Sequence, residues 1–125
     1  VYEIYVAASF EAAHRLVGNF GPATRLHGHT YRLEVVVRGE RLRDDGTLYD
    51  IGLLRPAVED LASSLHYRDL GEVPDLAGVN TTAESVARYC WERLAPPLRD
   101  EGLDSLVVRV WESPEVYAAR EDPLD

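Results

Sequence analysis

The sequence predicts an α+β fold in which an antiparallel four-stranded sheet carries two helices on one face. Three observations predict it. Two long strand-like runs, Tyr2–Ala13 and Thr30–Gly39, open the chain; two segments of helical period fill its middle; alternation around Leu106, Val108 and Val110 returns near its end. The 125 residues contain no repeat, low-complexity stretch or linker, so residues 1–125 read as a single domain.

The elements follow in order. Val35, Val36 and Val37 favour extended backbone in Thr30–Gly39, which pairs with Tyr2–Ala13 as a hairpin. Between them, Val17–Leu26 holds Gly18, Asn19, Gly21 and Pro22 and reads as a loop. Asp44-Asp45-Gly46 turns the chain into a short strand, Thr47–Ile51. Leu54, Ala57, Val58, Leu61, Ala62 and Leu65 then recur at helical spacing, with Pro56 tolerated only in the first turn. Thr81-Thr82-Ala83-Glu84 fits a capping box that opens a second helix, and Pro96-Pro97 stops it. Leu103–Glu112 is a strand, followed by a shorter one near Val116–Arg120.

Composition excludes several classes of function. The net charge of −9 and the absence of a basic stripe argue against nucleic acid as a partner. No apolar run approaches the length of a membrane span, and the first residues lack a secretion-signal pattern, so a cytoplasmic protein with no membrane partner is expected. All 13 basic residues are arginines, which rules out Schiff-base chemistry through lysine. Methionine is absent, as expected where the numbering omits an initiator. Cys90 has no partner for an internal disulfide and shares a helical face with Val86 and Leu94, so it packs in the core. A domain of this size is small for an enzyme that encloses its substrate alone, and a homo-oligomer is expected.

Of the 4 histidines, His14 ends the strand-like run Tyr2–His14, and His27 and His29 lie two apart where the chain enters the second strand. Residues two apart on a strand point to one face, so His27 and His29 converge, with Gly28 facing away, and His14 supplies a third nitrogen across the hairpin. Three protein ligands leave the fourth position of a tetrahedral Zn2+ open, the arrangement of a catalytic site. The competing reading is a histidine cluster that only hydrogen-bonds in the core.

With these pieces placed, the chain resembles the 6-pyruvoyl-tetrahydropterin synthase and 6-carboxytetrahydropterin synthase family. The resemblance is carried by Phe10-Glu11-Ala12-Ala13-His14-Arg15-Leu16, Leu26-His27-Gly28-His29-Thr30-Tyr31, Tyr49-Asp50-Ile51-Gly52, Thr82-Ala83-Glu84 and Val110-Trp111-Glu112-Ser113-Pro114. It implies a tunnelling fold whose subunits join sheet edge to sheet edge into a barrel-like homohexamer, a dimer of trimers, with active sites at subunit interfaces. It also implies that His14, His27 and His29 hold Zn2+, that Glu112 anchors a pterin ring, and that Thr81 and Thr82 line the pterin pocket. A carboxylate suits that anchoring role because it accepts from the ring N–H and the exocyclic amine together.

The family's proton-transfer residues do not carry over. A cysteine four residues before the His-Gly-His motif is replaced by Ala23, and the glutamate that a variant branch places three residues before it is replaced by Thr24. Where the family has Leu-Asp-His-x-x-Leu, this chain has Leu65-His66-Tyr67-Arg68-Asp69-Leu70, which puts His66 and Tyr67 on the aspartate and histidine positions. His66, Tyr67 and Thr24 are therefore the candidate catalytic residues, and Asp69 is read as a turn charge. Arg15 and Arg25, flanking the metal segments, are candidates for phosphate contact.

The function expected from the resemblance is a zinc-dependent lyase or synthase of a dihydropterin such as 7,8-dihydroneopterin triphosphate, with an altered acid-base set. The alternatives are a relative acting on another small heterocycle or carbonyl compound, and a non-catalytic pterin-binding protein.

Overall fold

In the computed structural model, which describes Val1–Asp125, strands β1 (Tyr2–His14) and β2 (His27–Gly39) pair antiparallel from Tyr2 opposite Gly39 to His14 opposite His27. Pairing therefore runs through the histidines instead of stopping at Ala13 and Thr30. The intervening loop makes this length affordable, because it is closed on itself by Leu16 N–H donating to the Ala23 carbonyl at 2.9 Å. A second clasp ties it to the body of the protein: Val17 N–H donates to Asn80 Oδ1 at 2.9 Å, and Asn80 Nδ2 donates to the Val17 carbonyl at 3.0 Å.

Thr47–Ile51 is not a strand. Asp45 Oδ1 accepts from both the amide and the hydroxyl of Thr47, which closes a tight turn, and the Asp50 carboxylate accepts from Gly52 N–H at 2.8 Å. Asp50 is thus the N-cap of helix α1 (Ile51–Leu65), which starts before the predicted Leu54 and makes Pro56 its sixth residue. The carbonyl of Gly52, left without the N–H that proline lacks, belongs to an exposed residue where solvent satisfies it.

Beyond α1, Tyr67 N–H donates to the Glu11 carbonyl at 2.6 Å, and this lays strand β3 (Arg68–Asp69) parallel to Ala12 and Ala13 of β1. Asp69 accepts from Gly71 N–H at 3.0 Å and caps the turn that follows. Helix α2 (Ala83–Leu94) is capped by Thr82, whose side chain accepts from Ser85 N–H at 3.1 Å; the cap sits one residue later than a box opening on Thr81. Strands β4 (Ser105–Ser113) and β5 (Val116–Pro123) complete the sheet, with a register shift between Trp111 and Ser113. The order is β3-β1-β2-β4-β5, so the sheet is five-stranded and mixed, not the purely antiparallel four-stranded sheet the sequence predicts.

Both helices lie on one face, α1 over β1 and α2 over β4 and β5. Leu54, Val58, Ala62 and Leu65 of α1, with Val86, Cys90, Trp91 and Leu94 of α2, bury against Phe10, Leu33, Val35, Val37, Leu106, Val108 and Val110 of the sheet. Each large apolar side chain taken fully from water contributes roughly 1.5–3 kcal/mol. Trp91 Nε1 donates to the Leu106 carbonyl at 2.9 Å and fixes α2 on β4. The opposite sheet face is polar, with Arg38 between Glu3 and Glu121 at 3.3 and 3.1 Å. No helix is long and apolar enough to cross a membrane.

Candidate metal centre

Side chains opposite one another in an antiparallel pair share a face. Opposition of His14 to His27 and of Ala12 to His29 therefore puts all three imidazoles on the helix-covered side, at the loop end of the hairpin. Their ligand atoms lie within 4.8 Å of one another. Two rings are oriented by backbone carbonyls: His14 Nδ1 is 2.7 Å from the Thr81 oxygen, and His27 Nδ1 is 2.7 Å from the Arg25 oxygen. A carbonyl only accepts, so Nδ1 carries the proton in both rings and each neutral ring keeps its Nε2 lone pair. His14 is fully buried, and its Nε2 is 3.1 Å from His29 Nε2.

Glu112 enters this cluster from β4. Leu106, Val108, Val110 and Glu112 alternate along one face, the first three in the core and the last at its open end. Its Oε2 is 3.5 Å from His14 Nε2 and 3.3 Å from His29 Nε2, with the Glu112 side chain 22% exposed. Burial lowers the pKa of His29, against the opposing pull of the Glu112 charge, which favours the neutral form a metal requires. Tyr31, stacked on Phe10 at 4.9 Å and edge-on to His29 at 5.3 Å, floors the site. Its hydroxyl is buried without a partner, and burial, then the Glu112 charge, push its pKa up.

The donor set fits a divalent ion. Ligand atoms ~2.0–2.2 Å from a tetrahedral zinc stand ~3.3–3.6 Å apart, near the separations among His14, His29 and Glu112. Lone pairs and a carboxylate brought this close repel one another unless a cation or proton lies among them.

The candidate proton-transfer residues are held differently. Tyr67 lines an open groove of about 560 Å³ together with His29, Glu11, Thr30 and Asp69. Its φ of 59° is in the left-handed region, strained for an aromatic residue. His66 is exposed, accepts at Nδ1 from Glu11 N–H at 3.0 Å, stacks on Tyr67 at 3.8 Å, and borders a separate cleft with Ser9 and Ser63. Tyr67 thus borders the same groove as His29, a groove walled by Glu11 and Thr30, while His66 stacks on the Tyr67 ring. Thr24 ends a short 3-10 turn (Gly21–Thr24), and its hydroxyl donates to the Gly21 carbonyl at 2.8 Å. Ala23 lies in the same turn.

Thr81 touches the site through its backbone and Thr82 caps α2, while Arg15 lines a second cleft of about 550 Å³ with Thr81, Asn80 and Asp69. Arg25 is exposed and contributes its carbonyl to His27. The orienting carbonyls of Thr81 and Arg25 escape sequence reasoning, since every residue has one. The approach of Glu112 to the histidines does have a signal, the two-residue period that carries Val110 into Glu112.

The sequence matches the family 6-pyruvoyl tetrahydropterin synthase over residues 3–123. It is 31% identical over 103 residues to the 6-pyruvoyl tetrahydrobiopterin synthase of Dictyostelium discoideum, with 73% of this chain and 76% of that one covered. It is 36% identical over 91 residues to the dihydroneopterin monophosphate aldolase of Pyrococcus furiosus, with 73% of each covered. The structure of Caenorhabditis elegans 6-pyruvoyl tetrahydropterin synthase superposes with a TM-score of 0.82 at 25% identity, covering 97% of this chain and 95% of that one.

Proposed function

The chain belongs to the 6-pyruvoyl tetrahydropterin synthase family, and from that premise we propose that it is a zinc-dependent lyase or synthase of a dihydropterin such as 7,8-dihydroneopterin triphosphate. The observation that carries this reading is the convergence of His14, His27 and His29 beside Glu112, with two of the rings pinned so that Nε2 faces inward. His14, His27 and His29 would hold the ion. When bound, it supplies Lewis acidity, drawing electron density from the substrate's side-chain oxygens and acidifying the neighbouring C–H and O–H bonds.

The chain's own residues do the rest. Glu112 accepts from the ring N–H and exocyclic amine of the pterin and sets the ring's orientation. Tyr67, which lines a groove that His29 also borders, gives and takes the proton that the Ala23 and Thr24 positions cannot. His66 is a positioning residue: it stacks on the Tyr67 ring and accepts from Glu11 N–H, which keeps the strained turn in place. Thr24 stays peripheral, its hydroxyl committed to Gly21. The sheet edges β3 and β5 are the surfaces through which subunits join into the family's hexamer.

The relation to an aldolase favours a second reaction at the same site, in which a carbon-carbon bond of the pterin side chain is broken instead of a carbon-oxygen bond. One experiment separates them. Zinc-loaded protein is incubated with 7,8-dihydroneopterin triphosphate and, in parallel, with the monophosphate, and products are followed by chromatography and mass beside a His27→Ala control. Loss of phosphate with all carbons kept identifies a carbon-oxygen lyase, whereas loss of side-chain carbons identifies the aldolase-type reaction. Binding without turnover means a pterin-binding protein; neither binding nor turnover means another heterocycle or a carbonyl compound.

A further inference from the structure

Glu112 stands in two places that one carboxylate cannot serve at once. As the ring anchor it must face the pterin, yet its Oε2 lies 3.3 Å from His29 Nε2 and 3.5 Å from His14 Nε2, which are themselves 3.1 Å apart. These are the edge lengths expected for donors sharing one tetrahedral ion, ~3.3–3.6 Å, to within a few tenths of an ångström. A proton on His29 Nε2 accounts for one of these approaches, but the His14 Nε2 approach has no donor, because the proton of that ring is already committed to the Thr81 carbonyl.

We propose that Glu112 is the fourth protein ligand of the metal while the pocket is empty, and that a pterin ring draws it off, vacating the fourth position as the substrate arrives. The proposal rests on the metal reading above. The exchange is redox-neutral and balanced: one carboxylate-to-metal bond breaks, Glu112 takes two hydrogen bonds from the ring, and the vacated position accepts a lone pair from the substrate. It couples ring recognition to Lewis acidity. A molecule without the paired N–H donors leaves Glu112 on the metal and finds no open position, so the residue that reads the ring also gates the ion.

Cobalt(II) is the probe, since its visible absorption reports ligand number and type. Wild type, Glu112→Gln and Glu112→Asp are loaded with cobalt(II), and affinity is read by chelator competition. Each is then titrated with 6-methylpterin, which has the ring donors and no side-chain oxygen. The expected result is a loss of affinity in Glu112→Gln of about 10-fold or more. Its visible spectrum is altered, and 6-methylpterin drives the wild-type spectrum toward it while leaving the variant's unchanged. Glu112→Asp, whose shorter side chain withdraws the oxygen, falls between the two and serves as the test if Glu112→Gln does not fold. Equal affinity and identical spectra for all three proteins would overturn ligation by Glu112. A wild-type spectrum indifferent to 6-methylpterin that nevertheless binds would overturn displacement. Failure of wild type to bind cobalt or zinc would overturn the metal reading itself, and this proposal with it.

Discussion

His14, His27, His29 and Glu112 are carried by three paired strands, whereas His66 and Tyr67 follow the C-terminal end of α1, and the two groups reach the same end of the sheet by different means. The strand-borne group inherits its geometry from the hairpin register, and two of its rings are locked by carbonyls at 2.7 Å. The turn-borne pair is held by two hydrogen bonds to Glu11 and by its own stacking, and Tyr67 is 80% exposed. The lesson is a division of labour. On the proposed reading, the positions that would hold an ion are built on strands, while the candidate proton-transfer group is placed where changing it disturbs little packing.

That division predicts a descending series of effects. Replacing His27 by alanine should abolish stoichiometric zinc after dialysis, a loss exceeding the roughly 10–100-fold seen when only an outer-shell partner is removed. Metal analysis of protein purified without chelator reads it, and full zinc retention would dissolve the strand-borne group as a metal centre. Tyr67→Phe should keep its zinc and its KM for the dihydropterin while kcat falls by about 10²–10⁴. A change in KM with kcat intact would move Tyr67 from proton transfer to binding.

Thr82→Ala, in the segment that joins the two groups, should lower unfolding free energy by about 1 kcal/mol in denaturant titration and leave one zinc per chain. Loss of the metal would mean that Thr82 belongs to the site and not only to the helix cap. Cys90, remote from both groups, gives the smallest effect. Burial pushes its thiol from 9.0 to about 12. The folded state therefore keeps a proton that the unfolded state has lost, so the contribution is fully present below about 9 and is lost as pH rises through about 12. Alkylation of native protein at pH 8 should be negligible and should become complete on unfolding.

Much of this arrangement is legible in the sequence because strand period and hairpin pairing are local rules. His27 and His29 two apart, with His14 at the far end of the partner strand, fix a shared face before any coordinates are known. What is not legible depends on distant or short pieces. Arg68–Asp69 is too short to show a period, and its parallel pairing comes from the turn at Tyr67 seeking the Glu11 carbonyl. Thr47–Ile51 alternates like a strand, but the side chains of Asp45 and Asp50 take the backbone donors a strand would need. The shift of the α2 cap from Thr81 to Thr82 has a similar cause: the Thr81 carbonyl accepts from His14, a residue 67 positions away.

Thr81 and Thr82 are neighbours, and between them they tie the histidine cluster to a helix. One carbonyl fixes the tautomer of His14, while the next residue's side chain and carbonyl accept from the amides of Ser85 and Val86. Opening the first turn of α2 therefore loosens the acceptor that aims His14, and an ion held by His14 resists that opening by the same free energy. Solvent exchange at the Ser85 and Val86 amides becomes a gauge of occupancy, slowing as the cluster fills, so that the first turn of α2 reports on the centre.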